Sequence, residues 1–551
     1  MKERREVMAD KSIFDFFPFE KPRPQQEAIL KKIEETDKKF ILVEAPTGVG
    51  KSPIAICAAN WLASQKPKDA GNYFDSNGIE RKIGSYILTV NKALQKQYMK
   101  DFDIDNLSAK ENYACHEHEN CLVGRTIYDS LTKEEKEGHI CDRDTCNYFV
   151  AKDKFLWGRL GVTNFAFFLN ETTYAGEIIP SQMLIIDEAH RTENMLMSFV
   201  EQSFSGTIAE RLYGISIPDL KSMQEYALWL AKDYMEALNA TIARFSANVK
   251  KALRAKDKTS LIYSSQQKAS VVRKKCRLNR FLGPFKDHPG TIEDKWVMNK
   301  EHKKGKIYLE FKPIEVSEFA EQHLFKYGEK ILMMSATILD KNAFFKSLRV
   351  DPDQCEFIRT DSPFHPDTRQ VQIIPVAKVS NKNKHKALPE VAEVVEMIVN
   401  ELHPTDKGII HTHSYEIQQF LLNKIKTDRF VTHTTGNREE QLEFHKTVDK
   451  PTVMISPSMF EGVDLKDDIS RFQIVVKMPF PYLGDKQVAA KKERFKGWYE
   501  HQTAVSLIQS FGRSTRNEDD YSTTYVLDAN FVWFYDKNKN LFPEWLNLVW
   551  S

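Results

Sequence analysis

Two short segments of this chain carry residue types that bind and hydrolyse a nucleoside triphosphate. The first, residues 45–52, reads Ala-Pro-Thr-Gly-Val-Gly-Lys-Ser. Glycines let backbone N–H groups cradle phosphate oxygens, a lysine reaches the β- and γ-phosphates, and a serine hydroxyl holds Mg²⁺. Taken alone, the segment also fits an ordinary glycine-rich turn. The residues predicted to bind ATP and Mg²⁺ here are Thr47, Gly48, Gly50, Lys51 and Ser52.

Two acidic residues, Asp187 and Glu188, begin the second segment. They follow the apolar run Met-Leu-Ile-Ile at residues 183–186, which predicts a buried strand that ends at the acids. Ligands bind at that edge of an open α/β sheet. Asp187 can bind Mg²⁺, and Glu188 can orient and deprotonate the attacking water. An acidic helix cap is the alternative, but Lys51 in the same chain favours an ATP-hydrolysing site.

A third segment, residues 509–516, reads Gln-Ser-Phe-Gly-Arg-Ser-Thr-Arg. Arg513 and Arg516 are three residues apart and would share one face of a helix. Such a pair can insert a guanidinium into a γ-phosphate site, where it is worth roughly 10³–10⁵ in rate. A solvated basic helix face is the alternative. Gly462, within Phe-Glu-Gly-Val-Asp at 460–464, permits an unusual backbone angle beside a ligand or in a plain turn.

Four of the seven cysteines fall in one window with the spacing C-x₅-C-x₁₉-C-x₄-C. In a reducing compartment, clustered cysteines bind metal more often than they form disulfides. Four thiolates suit a structural zinc ion or a [4Fe–4S] cluster, and the spacing favours neither strongly. The predicted ligands are Cys115, Cys121, Cys141 and Cys146. The histidines nearby are alternative zinc ligands or polar loop residues: His116, His118 and His139.

Strands followed by helices must position these residues. The apolar run at 40–44 and the apolar stretch at 54–59 flank the glycine-rich loop, which predicts strand, loop and helix in that order. The run at 330–334 predicts another strand before Ser335. The chain has 551 residues, of which 41% are hydrophobic, enough for several cores.

The charge balance limits the kinds of partner. A formal net charge of +2 excludes a histone-like polycation, so local basic patches would have to hold a nucleic acid. No apolar leader and no run of eighteen apolar residues is visible. The sequence therefore predicts a cytoplasmic or nucleoid-associated protein that is not secreted and does not contact a membrane.

The order of these motifs resembles that of superfamily-two helicases, and the details are similar to the XPD/DinG family of iron–sulfur helicases. Residues 23–26 (Arg-Pro-Gln-Gln) match the family's adenine-recognition segment. Residues 89–95 resemble its first DNA-contacting motif, and residues 361–364 (Asp-Ser-Pro-Phe) match the start of its second motor domain. The resemblance covers nearly the whole chain. One departure is Asn530, where the family usually has a basic residue.

The resemblance implies an α/β fold with two RecA-like motor domains, each built on a parallel sheet, and two inserts. The first motor domain would comprise residues 1–107, 150–200 and 326–364. An Fe–S insert would occupy 108–149, a mostly helical Arch insert 201–325, and the second motor domain 365–551.

The same resemblance implies an ATP-dependent DNA helicase. Such a monomer would move 5′→3′ along single-stranded DNA and open forked duplexes with its [4Fe–4S] insert as a wedge. Adenine would lie on Gln26, with Arg23 also binding the nucleotide, while Ser335 and Thr337 would couple the ATP site to DNA. The remaining residues assigned to the nucleotide site by resemblance are Gln509, Arg513, Arg516, Gly462 and Asp464.

Two other functions stay open on the sequence alone. One is an ATP-gated clamp or remodeller of single-stranded nucleic acid that does not unwind. The other is an RNA helicase of the Asp-Glu-Ala-His type, against which the cysteine insert counts. The residues do not specify the biological process, whether DNA repair, replication-fork or R-loop clearance, or a viral or mobile-element role.

Possible DNA contacts come from basic and aromatic residues. Basic runs at 250–256 and 273–277 could line a DNA channel or form solvated helix faces. Aromatic side chains near the cysteines could stack on bases, at roughly 1–3 kcal/mol each, or belong to the core. These aromatics are Tyr148, Phe149, Phe155 and Trp157.

Overall fold

The structure, a computed structural model, describes residues 11–66, 72–129, 131–137, 141, 145–287, 292–380, 382–434, 436–457, 465, 467–511 and 520–550. These ranges form two parallel sheets flanked by helices and one small antiparallel sheet. The predicted α/β fold with two parallel-sheet domains is confirmed. Within the same ranges, no helix is both long enough and apolar enough to span a bilayer.

The N-terminal part of the chain alternates strands and helices. Its strands are β1 (Phe40–Glu44), β2 (Asn72–Phe74), β3 (Glu80–Thr89), β4 (Asp105–Asn106), β5 (Leu160–Asn164) and β6 (Ser181–Asp187). Its helices are α1 (Pro24–Glu35), α2 (Lys51–Ser64), α3 (Lys92–Phe102), α4 (Cys121–Tyr128), α5 (Lys133–Lys136), α6 (Asn147–Trp157), α7 (Phe165–Asn170) and α8 (Thr192–Val200).

The next stretch combines helices with the antiparallel sheet. The strands are β7 (Gln202–Ser205), β8 (Trp296–Lys303) and β9 (Lys306–Pro313). The helices are α9 (Gly206–Ile208), α10 (Met223–Trp229), α11 (Met235–Ala255), α12 (Lys258–Asp287), α13 (Ile292–Lys295) and α14 (Ser317–His323). Helices α11 and α12 pack along each other. The sheet is an addition that the sequence did not predict in this mostly helical stretch.

The chain then completes the first sheet and builds the second. β10 (Gly328–Ser335), α15 (Lys341–Leu348) and β11 (Cys355–Arg359) complete the first. The later strands are β12 (Val371–Ala377), β13 (Gly408–His411), β14 (Phe430–Val431), β15 (Val453–Ser456), β16 (Phe472–Val475), β17 (Thr523–Asp528) and β18 (Leu548–Trp550). The later helices are α16 (Lys384–Met397), α17 (Tyr415–Lys424), α18 (Arg438–Thr447), α19 (Lys486–Arg494), α20 (Trp498–Phe511) and α21 (Asn530–Lys537).

The central strands of both sheets are covered on both faces. Every residue of β1, β6, β13, β15 and β16 is buried. Parallel strands enclosed by helices have this property, which is why their sequences read as continuous apolar runs rather than alternating ones. The strand order of the second sheet is β14-β15-β13-β16-β17-β12-β18.

The strand order of the first sheet brings the sequence motifs together. The order is β11-β1-β10-β6-β3-β5-β4, with β2 antiparallel to β3. β10 lies between β1 and β6, so that Glu44 pairs with Ser335 and Met334 pairs with Asp187. Parallel strands end at the same edge of a sheet, so the glycine-rich loop, the acidic segment and Ser335 all lie at one edge.

Candidate nucleotide site and cysteine cluster

The glycine-rich loop between β1 and α2 is held by two polar side chains. Gly48 and Gly50 have φ angles of +91° and +83°, which glycine adopts without steric cost. Gln26 donates from Nε2 to the Gly50 carbonyl at 3.0 Å, and the Arg23 guanidinium donates to the Gly48 carbonyl. Gln26, predicted to lie at adenine, and Arg23, predicted to bind the nucleotide, therefore contact the phosphate loop directly.

Asp187 ends β6 and is buried, with 3% of its surface exposed. Its Oδ2 accepts a hydrogen bond from the Tyr98 hydroxyl at 2.9 Å, and its Oδ1 accepts one from the Glu188 N–H at 2.9 Å. Burial, followed by the neighbouring Glu188 carboxylate, raises the pKa of Asp187 to about 6, and Lys51 opposes the rise. A bound divalent cation would stabilise the charged carboxylate, as a Mg²⁺ ligand requires.

Glu188 adopts the left-handed conformation, with a φ of +53°. For a residue with a Cβ this costs of order 1–3 kcal/mol, and such residues cluster at active sites. Glu188 lines the same cleft as Lys51. Ser52, on α2, lies beside the Tyr98 hydroxyl that contacts Asp187. The two predicted Mg²⁺ ligands, Ser52 and Asp187, thus share a neighbour.

Hydrogen bonds join the two parallel-sheet domains next to this cleft. Gln509, on α20, donates from Nε2 to Thr337 Oγ1 at 2.9 Å. Ser335 Oγ accepts from the Thr337 N–H at 3.1 Å and contacts His190 Nδ1 at 2.8 Å. A continuous polar path therefore runs from the acidic segment through Ser335 and Thr337 to the second domain.

One cleft is lined by four of the residues predicted for the nucleotide site, Thr47, Lys51, Glu188 and Gln509. Thr337, predicted to couple that site to DNA, lines it too. Arg369 and Trp545 line the same cleft, and the sequence analysis missed both. The only sequence signal for Arg369 is its place shortly after the Asp-Ser-Pro-Phe motif at 361–364. The predicted residues Arg513, Arg516, Gly462 and Asp464 lie outside the described residues.

The four clustered cysteines converge around α4. Cys121 is the first residue of this helix, and its Sγ lies 3.9 Å from the Sγ of Cys146. Gly124 follows one turn later. A Cβ built on Gly124 would lie 2.7 Å from Cys115 Sγ and 3.3 Å from Cys141 Sγ. The fold therefore brings the four predicted ligands together, against a helix surface that lacks a side chain at Gly124.

This donor set can hold a metal group. Burial and neighbouring thiols raise the pKa of Cys121 to about 11 and that of Cys141 to about 12, so the free thiols are protonated at neutral pH. Among the described residues, no three or more His, Cys, Asp or Glu side chains form a group that could hold a single metal ion. A [4Fe–4S] cluster binds each thiolate through a different iron, whereas zinc needs four ligands at about 2.3 Å from one centre. The sulfurs of Cys121 and Cys146 lie 3.9 Å apart, which is about the spacing of two thiolates on one tetrahedral zinc ion, so the donor set suits either group.

The histidines in this region differ in position. The Cδ2 atom of His118 lies 3.5 Å from the Cβ built on Gly124, so its ring borders the cysteines. His116 is exposed, and His139 lies outside the described residues. His118 is therefore the nearest described alternative to a cysteine ligand.

Two cations of the basic run at 273–277 contact carbonyl groups of the protein itself. Lys274 Nζ donates to the Ser203 carbonyl at 2.5 Å and lies 4.0 Å from the ring centroid of Phe204. Arg277 donates to three carbonyls at the C-terminal end of α8. Basic side chains commonly stabilise unpaired carbonyls at helix ends in this way. These two residues therefore stabilise the fold.

The stacking interpretation needs correction. Tyr148 and Phe155 are core residues, 1% and 0% exposed, and have no face available to a base. Trp157 is 59% exposed and remains available to a ligand. Phe149 is half-buried and contacts the Arg125 guanidinium.

Known families match two parts of the chain. The helicase C-terminal domain matches residues 398–548, and the res subunit of type III restriction enzymes matches residues 19–212. The chain is 22% identical to a probable ATP-dependent helicase of Methanocaldococcus jannaschii, over 94% of this chain and 93% of that protein. It is 21% identical to the ATP-dependent DNA helicase DinG of Photobacterium profundum, over 45% of this chain and 38% of that protein.

Solved structures show the same fold. A structure described as an XPD helicase superposes with a TM-score of 0.63 and 15% identity, covering 97% of this chain and 100% of its own. A second structure, described as apo XPD, gives a TM-score of 0.59 and 13% identity over 96% and 99% of the two chains. Both comparisons support the arrangement of two parallel-sheet domains described above.

Proposed function

Since this chain is an ATP-hydrolysing helicase of the XPD/DinG-like group of superfamily two, we propose that it moves 5′→3′ along single-stranded DNA and opens forked duplexes. The observation that carries the proposed duplex opening is the packing of the cysteine insert on the long helices of the second insert. The 5′→3′ direction is what the resemblance to the family implies. Two residues of α4, Val123 and Ile127, share a buried apolar cluster with Val249, Ala252 and Leu261. A braced insert beside a motor can act as a wedge.

The proposed hydrolysis follows from the residues at the cleft. Lys51 binds the β- and γ-phosphates, and Ser52 and Asp187 hold Mg²⁺. Glu188 orients and deprotonates the attacking water. Adenine lies on Gln26, and Arg23 also binds the nucleotide. From the second motor domain, the residues proposed to complete the site are Gln509, Arg513, Arg516, Gly462 and Asp464.

Coupling to DNA is proposed to use two routes. One is the Gln509–Thr337 hydrogen bond, which joins the second domain to the edge of the first sheet. The other is α3, whose start belongs to the DNA-contacting motif at 89–95 and whose Tyr98 hydroxyl bonds Asp187. Opening a base pair costs about 1.4 kcal/mol of stacking on average, so movement has to draw on hydrolysis.

The cysteine insert is proposed to be organised by a [4Fe–4S] cluster held by Cys115, Cys121, Cys141 and Cys146. When bound, such a group supplies folding energy to a segment that is too small to have an extensive core of its own. The chain's own residues do the rest. α4 and α6 position two of the ligands, and the apolar face of α4 fixes the insert against the second insert.

Strand separation on forked DNA tests the proposal. Forks with only a 5′ tail or only a 3′ tail are incubated with ATP and protein that was purified without oxygen. Iron and zinc contents are measured on the same sample. We expect ATP-dependent opening of the 5′-tailed fork by iron-containing protein, and none by Lys51→Ala. Opening from the 3′ tail would contradict the polarity.

Two further outcomes would redirect the proposal. ATP hydrolysis that single strands stimulate, with no opening of either fork, would favour a clamp. If active protein contained zinc and no iron, the [4Fe–4S] assignment would be contradicted, and the assignment of the motor domains would stand.

A further inference from the structure

Arg369 lies in the second motor domain, two residues before strand β12, and its side chain lines the nucleotide cleft. The residue is 6% exposed and lines the cleft together with Lys51 and Glu188. Its Nη2 donates to Ser362 Oγ, whereas its Nε has no acceptor among the described residues. Burial is the one influence on its pKa, and no described carboxylate contributes to it.

The guanidinium stays charged at neutral pH, because burial lowers its pKa only to about 10. A buried charge is normally paired, since leaving it without a counter-charge is unfavourable. The ring centroids of Trp545 and Phe364 lie 4.0 Å and 5.9 Å from its Cζ. Aromatic faces attract a cation but supply no net negative charge. This side of the cleft therefore favours an anionic ligand.

The segment that carries Arg369 also contacts the phosphate loop. A Cβ built on Gly48 would lie 2.0 Å from Phe364 Cζ, so the phenyl ring rests directly on the glycine. Residues 362–369 thus meet the loop through Phe364 and reach the same cleft as Lys51 through Arg369. The anion that such a cleft receives is the terminal phosphate of a nucleoside triphosphate, which guanidinium groups bind with charge-assisted hydrogen bonds.

We propose that Arg369 binds the terminal phosphate of ATP and thereby strengthens the contact between the second motor domain and the phosphate loop when a triphosphate is present. The inference rests on the proposed nucleotide site, and it concerns a residue separate from Arg513 and Arg516. With ATP bound, Arg369 and Phe364 hold residues 362–369 against the loop. After hydrolysis and release of phosphate, Arg369 loses its anion and this link weakens.

Arg369→Gln tests the proposal by equilibrium binding of ADP and of a non-hydrolysable ATP analogue, both with Mg²⁺. We expect roughly 10- to 100-fold weaker binding of the triphosphate, the size of a lost hydrogen bond to a charged group. ADP binding should change little. The affinity of Arg369→Lys for the triphosphate analogue should lie between those of the wild type and Arg369→Gln, because lysine retains the charge but not the forked geometry. Arg349→Gln, an exposed arginine outside the cleft, is the control.

Thermal unfolding without nucleotide separates this role from a structural one. Removing a buried cation that no described carboxylate pairs with should leave Tm unchanged or raise it. A marked fall in Tm for Arg369→Gln, an equal loss of ADP and triphosphate binding, or no loss of either would overturn the proposal. If wild type and Lys51→Ala bound the triphosphate analogue equally, the nucleotide site itself would be contradicted instead.

Discussion

At the scale of single residues, the Tyr98 hydroxyl tunes the carboxylate proposed to bind Mg²⁺. Asp187 has a pKa raised to about 6, so in nucleotide-free protein it takes up a proton as the pH falls through about 6. The protonated acid is a poor Mg²⁺ ligand, so kcat/KM for ATP should fall as the pH drops below about 6. Tyr98 lowers this pKa by donating to the charged form. Tyr98→Phe should therefore move the acid limb of the pH profile to higher pH.

The measurement is kcat/KM for ATP between about pH 5 and 8, which reports groups of the free enzyme. Tyr226→Phe is the matched control, since it removes a hydroxyl that donates to the Pro218 carbonyl at 3.0 Å and does not line the cleft. An acid limb that stays in place in Tyr98→Phe, or moves equally in Tyr226→Phe, would refute the role of Tyr98.

Single residues also mark the limit of what the sequence could predict. Lys51, Asp187 and Glu188 were predictable because each follows a recognisable strand. Arg369 was not, since its proposed function depends on having no carboxylate partner among the described residues, which only the folded neighbourhood reveals. The contacts of Arg277 were unpredictable for a different reason. Its charge was visible in the sequence, but the carbonyl acceptors at the end of α8 were not.

At the scale of elements, α4 leaves space for the cysteine cluster because Gly124 has no side chain. Gly124→Ala should weaken metal binding, because the new methyl group would lie 2.7 Å from Cys115 Sγ. We expect an effect of roughly 10- to 100-fold, the size found for changes in the surroundings of metal ligands. Competition with a chelator, together with iron and zinc contents per chain, measures it.

Gly283→Ala is the control for this prediction. It makes the same substitution inside α12, where a Cβ meets nothing within 4 Å. Alanine there should strengthen the helix by up to about 1 kcal/mol and leave metal binding unchanged. Equal metal binding by Gly124→Ala and the wild type would show that the cysteines do not use the space beside Gly124.

Elements were more predictable than their arrangement. The strands at 40–44, 183–186 and 330–334 were predicted from apolar runs and are present as parts of β1, β6 and β10. The placement of β10 between β1 and β6 could not be read from any local pattern, because strand order is set by packing between segments distant in the chain. That order is what brings Ser335 beside the acidic segment.

At the scale of the whole molecule, α19 ties the second motor domain to other parts of the chain. Asp485, just before this helix, pairs with Lys312 of β9 at 2.7 Å, and Lys486 donates to the Met298 carbonyl of β8 at 2.9 Å. Lys491 pairs with Glu193 of α8, only a few residues after the acidic segment. The motor domains therefore meet at the nucleotide cleft and again through α19.

The Lys491–Glu193 pair is the part of this second contact most shielded from water, with side chains 5% and 12% exposed. Removing one partner of a buried pair leaves the other charge unpaired, which costs about 3–5 kcal/mol, whereas removing both charges costs far less. Lys491→Met should therefore lower Tm markedly, and Glu193→Gln combined with Lys491→Met should recover most of the loss. Thermal unfolding of the two single variants and the double variant measures this coupling. Losses that simply add would mean that the two charges do not interact across the domains, and the connection through α19 would then rest on its contacts with β8 and β9.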